Sequence, residues 1–260
     1  GNPLGTGTGF LGAILGGFVA GFAALWISRW PVANWIKPIM PVVVNPLLST
    51  LIAGFAMVIV LKTPISAAAN GLTTWLTGLS TAGVVLVGIV IGLMMAFDMG
   101  GPVNKVAYTF ATTGLAAGLE LAAKGTAVGD VPQFKIMAIV MAAGMVPPIG
   151  MALATVLNKK LYDDAERENG KAGWLLGASF ISEGAIPFAA ADPTRVIPSI
   201  MAGSAVTGAL VGLFGNTLPA PHGGIFVIAL VGNWATYLLA IAVGAVVTAL
   251  LVNLLKGAKK

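Results

Sequence analysis

The sequence has no cysteine, which removes disulfides, thiolate metal sites and a cysteine nucleophile together. It has a single histidine, so no site can be built from several imidazoles. Charge is scarce too. Asp, Glu, Lys and Arg make up 9% of the 260 residues, against about 25% in a soluble domain. Such a chain cannot cover a core of its size with polar surface. A soluble enzyme, a disordered tail and a disulfide scaffold are all excluded. In their place stand 57% hydrophobic residues, 35 glycines and a mean hydropathy of +0.95. The composition predicts an all-α, polytopic membrane helix bundle.

A membrane-crossing helix needs about 20 apolar residues. That length divides the chain into spans at 10–28, 41–61, 79–97, 106–123, 136–157, 196–214 and 233–255. Glycines four apart, as in Gly16 with Gly12, Gly21 with Gly17 and Gly92 with Gly88, would let neighbouring helices approach closely. The segment 158–171 is different. NKKLYDDAERENGK holds 8 of the 23 charged residues and is expected to be a solvated loop.

The net charge of +5 comes from 14 basic residues spread along hydrophobic sequence, so no nucleic-acid surface is expected. Basic residues near span ends collect on the cytoplasmic side. With 172–195 and 215–232 treated as segments that do not cross, Arg29, Lys37, Lys105, the 158–171 loop and the C-terminal lysines all fall on one side. The C-terminus is therefore expected in the cytoplasm.

Both non-crossing segments are broken by proline and glycine. Residues 172–195 carry Glu183, Asp192 and Arg195 with Pro187 and Pro193, while GNTLPAPHGG at 215–224 carries His222. Freed backbone groups are tolerated at membrane depth only beside protein or a water-filled cavity. Two re-entrant or broken hairpins converging on a polar site are the expectation.

An ionisable side chain in the membrane is a functional hypothesis by default. The candidates lie in three clusters: FDMGGPVNKVAY (97–108), FISEGAIPFAAADPTRVIP (180–198) and LPAPHGGIF (218–226). Glu183 sits in a broken apolar segment with no cation nearby in sequence, and His222 in a non-helical tract. These two are the candidate catalytic pair, contacting substrate as well. Asp98, Asn104, Lys105 and Asp192 are candidate substrate-binding residues. Structural roles compete for some of them. Asp98 and Lys105 suit a pair at a helix junction, and Asp192 before Pro193 suits a helix N-cap with Arg195 as partner. Carboxylates, an amide, an imidazole and nearby aromatic faces together fit a small polyhydroxylated ligand. Neither a metal nor an organic cofactor is expected.

The motifs DMGGPVNKVAY (98–108), FISEGAIPFAAADPTRVIPS (180–199) and PAPHGG (219–224), with KPIMPVVVNPLLSTL (37–51), resemble the fructose-type membrane component, IIC, of the bacterial phosphoenolpyruvate-dependent sugar phosphotransferase system. The resemblance runs from about residue 10 to the end and implies a single integral-membrane domain over 1–260. Members normally carry further hydrophobic segments ahead of this stretch, so the bundle is expected to be N-terminally incomplete. No IIA or IIB domain is visible in the sequence. The family's activity would be to bind a sugar, carry it inward and present a hydroxyl to a phosphocysteine on a IIB partner. Fructose 1-phosphate would be the product, and a homodimer in lipid the assembly. Three rivals stand beside this reading: a IIC for another hexose or a mannosyl-glycerate-type substrate, an ion-coupled secondary sugar transporter, and a structural membrane scaffold.

Overall fold

The structure, a computed structural model, describes residues 9–64, 67, 71, 74 and 81–257. The first two positions of the expected 79–97 span and the last three of the basic tail lie outside the described residues. The chain divides into two compact units, Gly1–Thr74 and Trp75–Lys260.

In the first unit, α1 (Gly9–Ser28) packs against α2, a continuous helical segment from Met40 to Pro64. Proline shapes the start of α2. Pro46 has no N–H to donate, and the turn before it widens to π geometry, with the Asn45 N–H bonding to the Met40 carbonyl. Phe18, Phe22, Trp26, Val42, Leu47 and Phe55 are exposed on these helices, as expected of surfaces meant for hydrocarbon.

The second unit contains α3 (Thr81–Phe97), α4 (Pro102–Ala123), α5 (Pro132–Leu157), α6 (Asp164–Ala178), the short α7 (Ile186–Ala191), α8 (Pro193–Phe214) and α9 (Trp234–Gly257). Among the described residues the only strand pairing is one antiparallel bridge, Thr217 with Gly232. All seven expected spans are helical where described, apart from Asn233, a turn residue ahead of α9. By length and composition α2, α5, α8 and α9 can each cross a membrane. Helix α4 is less apolar, but its 22 residues reach about 33 Å at 1.5 Å per residue.

The charged stretch at 158–171 departs from expectation. It is solvated, yet from Asp164 it is the first half of α6. A capping box explains the helix start: the Glu166 N–H donates to the Asp163 carboxylate at 2.8 Å, and the Glu166 carboxylate accepts from the Asp163 N–H at 3.1 Å. The pattern D-x-x-E at 163–166 was in the sequence, masked there by the density of charge.

Helix α5 is the centre of this unit. Residues 136–148 are buried without a break, so the helix is enclosed on every side. It packs against α3, α4, α6, α8 and α9. The tightest crossing is between α3 and α8. A Cβ on Gly88 would stand 2.3 Å from the Gly208 carbonyl oxygen, and one on Gly92 2.3 Å from that of Ser204. Of the glycine spacings in the sequence, this one joins two backbones. Gly17 and Gly21 of α1 meet nothing within 4 Å among the described residues. At the crossing of α8 and α9, a Cβ on Gly244 would meet Thr207 Oγ1 at 1.9 Å, and that hydroxyl donates to the Ala240 carbonyl at 3.1 Å.

The end of α9 is tied back to the start of α6. Lys256 Nζ lies 2.6 Å from Glu166 Oε1, with both side chains nearly buried, and 4.3 Å from the centre of the Tyr162 ring. The Tyr162 hydroxyl donates to Asn253 Oδ1 at 2.8 Å, and Asn253 Nδ2 donates to the Ala154 carbonyl at 3.2 Å. Burial pushes the Tyr162 phenol up, and the charges of Glu166 and Asp192 add to the effect.

Two predictions follow from this packing. Gly208→Ala should lower stability by about 3 kcal/mol, the upper end for overpacking, because the obstructing atoms are backbone and cannot rotate away. Gly17→Ala, unobstructed and in mid-helix, should leave it unchanged or raise it by up to about 1 kcal/mol, thermal unfolding in detergent being the measure for both. For the nearly buried pair, Lys256→Met alone should cost about 2–3 kcal/mol by stranding Glu166. The double variant Lys256→Met/Glu166→Leu should recover most of that loss, and a double-mutant cycle checks it.

Candidate functional site

Two adjacent prolines inside α5 set the geometry of the site. Pro147 and Pro148 have no N–H, so the carbonyls of Ala143 and Gly144 lose their partners one turn earlier. Both carbonyls are recovered by hydroxyls from outside the helix. Ser204 Oγ of α8 donates to Ala143 O at 2.9 Å, and Ser182 Oγ donates to Gly144 O at 2.7 Å. The second bond fixes the turn that carries Glu183. Gly144 must also lack a side chain: a Cβ there would stand 2.4 Å from the Phe180 ring and 2.9 Å from the Met95 methyl.

The first broken segment begins where α6 ends. Phe180 adopts φ +64°, an uncommon conformation for an aromatic residue, and a 3-10 turn at Ser182–Ala185 follows. Glu183 then lies against the turn between α3 and α4. A Cβ on Gly100 would be 2.3 Å from Glu183 Oε1, and Gly100 itself sits at φ +105°. Met99, at φ +47°, precedes it. Two of the three non-glycine residues with left-handed backbone among the described residues, Met99 and Phe180, thus lie in the two turns that face each other here.

Lys105 Nζ is 3.7 Å from Glu183 Oε1, and their side chains are 60% and 47% exposed. A pair this open and this long is weakly held, and both groups remain available to a ligand. Asp98 and Asn104, from the same cluster, are occupied with the backbone. Asp98 accepts from the Val103 N–H at 2.7 Å and the Asn104 N–H at 2.9 Å, which caps α4. The buried Asn104 amide donates through Nδ2 to the Met95 carbonyl at 2.7 Å, closing the end of α3. Together they hold the α3–α4 turn and so aim Lys105.

The second broken segment is a closed loop. Asn216, fully buried, donates through Nδ2 to the carbonyls of Gly232 and Asn233 at 3.0 and 2.8 Å. The Thr217–Gly232 bridge closes the base, and the Leu218 N–H reaches the Phe134 carbonyl of α5 at 2.9 Å. At the tip, the exposed His222 ring lies 5.0 Å from that of Phe180 and 6.5 Å from that of Tyr108. The Tyr108 hydroxyl donates to the Pro221 carbonyl at 3.1 Å. Gly224 packs so closely that a Cβ would stand 2.1 Å from the Ala178 carbonyl oxygen.

Of the residues singled out in the sequence, Lys105 meets Glu183, and the same two segments that hold them carry Tyr108 and Phe180, on which His222 rests. Asp192 belongs to a different neighbourhood. It pairs with Arg195 at the start of α8 and accepts from Thr194 Oγ1 at 3.3 Å, while its further charged neighbour is Lys256. Burial works against its ionised form. The hydrogen bond and charge of Arg195 outweigh that and hold the carboxyl below its usual range. The sequence reading did not single out Tyr108, Phe180, Ser182 or Gly144. The Gly-x-x-Pro-Pro pattern at 144–148 was a usable signal, because prolines inside an apolar helix leave carbonyls that need donors.

Residues 4–203 match the family model described as phosphotransferase system, EIIC. The chain is 45% identical over 251 residues to the PTS system fructose-specific EIIC component of Haloferax volcanii, covering 96% of this chain and 63% of that one. It is 43% identical over 250 residues to the PTS system fructose-specific EIIABC component of Bacillus subtilis, covering 95% of this chain and 37% of the relative. To the fructose-like permease IIC component 2 of Escherichia coli it is 41% identical, over 96% of this chain and 66% of the relative. The chain thus spans from about a third to about two thirds of the length of these relatives. No solved structure matches. The family model extends over most of the chain and takes in the Lys105 and Glu183 segments, and the chain belongs to the phosphotransferase system EIIC family.

Proposed function

We propose that this chain binds fructose within a cytoplasmic membrane, carries it inward and presents a hydroxyl to the phosphocysteine of a IIB partner. The convergence of segments 98–108, 180–183 and 219–224, distant in sequence, on one half-open site is the observation that supports it. The names of the Haloferax volcanii and Bacillus subtilis relatives both specify fructose, and the latter joins A, B and C components in one name. The chain has no cysteine, so a phosphocysteine must come from a partner or another domain. The positive-inside pattern supports a cytoplasmic side that bears the C-terminus and the charged start of α6.

In this reading Glu183 and His222 take the sugar. The Glu183 carboxylate accepts hydrogen bonds from hydroxyls, and the His222 imidazole both donates and accepts. The half-buried Tyr108 ring beside them suits the C–H side of a sugar ring. One of the pair removes the proton of the attacking hydroxyl, which requires approach to about 2.6–3.2 Å in the loaded state. Asp98 and Asn104 serve the site by holding the α3–α4 turn. Asp192, paired with Arg195, stands apart from this group and fixes the start of α8.

Glu183→Gln keeps the shape of the side chain and removes its charge. Phosphorylation by phospho-IIB should fall by about 100-fold or more, the usual size of a general-base contribution. Fructose binding should weaken less. Wild-type values for both measurements would remove Glu183 from the site. Gradient-driven accumulation of unmodified sugar, in vesicles without the phosphotransferase proteins, would replace this reading with a secondary transporter.

A further inference from the structure

The site holds a carboxylate, an imidazole and aromatic faces, all of them suited to a neutral sugar. Lys105 is the exception. An ammonium adds little for a neutral polyol that a carboxylate and an imidazole already satisfy, and Coulomb attraction needs a charged partner. Yet the structure devotes considerable local construction to aiming it. Asp98 caps the helix on which Lys105 occupies the first turn, Asn104 seals the preceding helix, and Gly100 brings the carboxylate of Glu183 beside it. Five other cations of this unit are engaged elsewhere: Arg195 with Asp192, Lys256 with Glu166, Arg167 with Asp164, Lys171 with Glu168, and Lys124 with Glu120. Lys105 is the cation that meets a residue of the candidate site, and it does so loosely, at 3.7 Å and with 60% of its side chain exposed.

We infer that Lys105 is a catalytic residue for the phosphoryl group rather than a sugar ligand: its ammonium receives the charge of the transferring phosphoryl oxygens beside the Glu183 base. This rests on the phosphotransfer reading above and adds a role within it. In the step, the sugar hydroxyl oxygen attacks the phosphorus of the S-phosphocysteine. The new O–P bond forms as the P–S bond breaks, the sulfur leaves with the bonding pair as a thiolate, and the hydroxyl proton passes to Glu183. Phosphoryl transfer involves little covalent work by the protein, and catalysis comes from positioning and from cations at the equatorial oxygens. Before a phosphoryl donor arrives, Glu183 is the anion that Lys105 faces. When Glu183 takes the proton its charge is lost, and the negative phosphoryl oxygens become the stronger partner for the ammonium. One lysine arm thus exchanges partners as the reaction proceeds.

The test uses the complete protein in membrane vesicles, with Lys105→Met and Lys105→Arg, and three measurements. These are equilibrium binding of free fructose, phosphorylation by phospho-IIB, and competition by fructose 1-phosphate. Lys105→Met should bind free fructose within about threefold of wild type, which also reports that the site is folded. Its phosphorylation rate should fall about 100-fold, the typical effect of deleting one group that meets transition-state charge. Its affinity for fructose 1-phosphate should fall by more than about tenfold, and Lys105→Arg should restore at least about a tenth of the rate because the charge is kept. Three results would overturn the inference: fructose affinity falling in step with the rate, an unchanged rate, or an arginine variant as slow as the methionine one. If Lys105→Met does not fold, the arginine variant decides by the same comparison of rate with fructose binding. Failure of the underlying phosphotransfer reading is separate, since it appears in the wild type as sugar accumulated without phosphate.

Discussion

The candidate site depends on two carbonyls that helix α5 cannot satisfy by itself. In a buried helix an unpaired carbonyl costs about 1–3 kcal/mol, and in hydrocarbon there is no water to relieve it. Pro147 and Pro148 create two such groups side by side at Ala143 and Gly144. One draws in Ser204 from α8, the helix packed against α3, and the other draws in Ser182 from the broken segment. A defect in one helix is therefore the attachment point of its neighbour and of the turn carrying Glu183. Gly144 completes the arrangement, since any side chain would displace Phe180 and Met95.

From that anchor the remaining constraints propagate through close contacts rather than through strong electrostatics. The turn at 180–183 abuts Gly100, the α3–α4 turn is held by Asp98 and Asn104, and Tyr108 one turn further along α4 holds the Pro221 carbonyl. The loop at 216–233 is closed independently at its base by Asn216. The ion pair in the middle, Lys105 with Glu183, is the loosest contact of the set. Rigid surroundings with a weakly paired centre suit a site that must exchange partners, because a tight pair would have to be broken first.

Much of the bundle was legible in the sequence, and the reason is physical. A membrane helix must be apolar along its length, so the seven spans stand out from composition alone. The chemically active clusters were legible for the converse reason: charge inside apolar sequence is costly and therefore rare. What composition does not carry is which polar groups end up spoken for. Asp98 and Asn104 look as functional as Lys105 in FDMGGPVNKVAY, yet the backbone takes both, because the chain must end one helix and begin the next within four residues. Asp192 and Glu183 share one motif, but a short helix between them carries Asp192 to Arg195. The helical start of 164–178 was hidden because a capping box and a solvated charge cluster use the same residue types.

The scarcity of charge that marks the chain as a membrane protein also explains the division of labour among its few ionisable groups. Where helix ends meet, at Asp98, Asp192 with Arg195, and Lys256 with Glu166, charge is consumed in fixing the backbone or in a nearly closed pair. Each of those groups has its principal partner within the protein, so a ligand would have to compete for it. Glu183 and Lys105 differ from these in exposure rather than in residue type, and His222 is exposed as well. Their segments include left-handed backbone at Met99, Gly100, Phe180, Gly223 and Gly224, while Gly125, Gly215 and Asn233 adopt it elsewhere. Such backbone persists only where surrounding packing over-determines it. Two of the three described non-glycine residues that carry this conformational cost, Met99 and Phe180, lie where side chains are left open to a ligand, and the well-satisfied charges lie at the junctions that hold this frame in place.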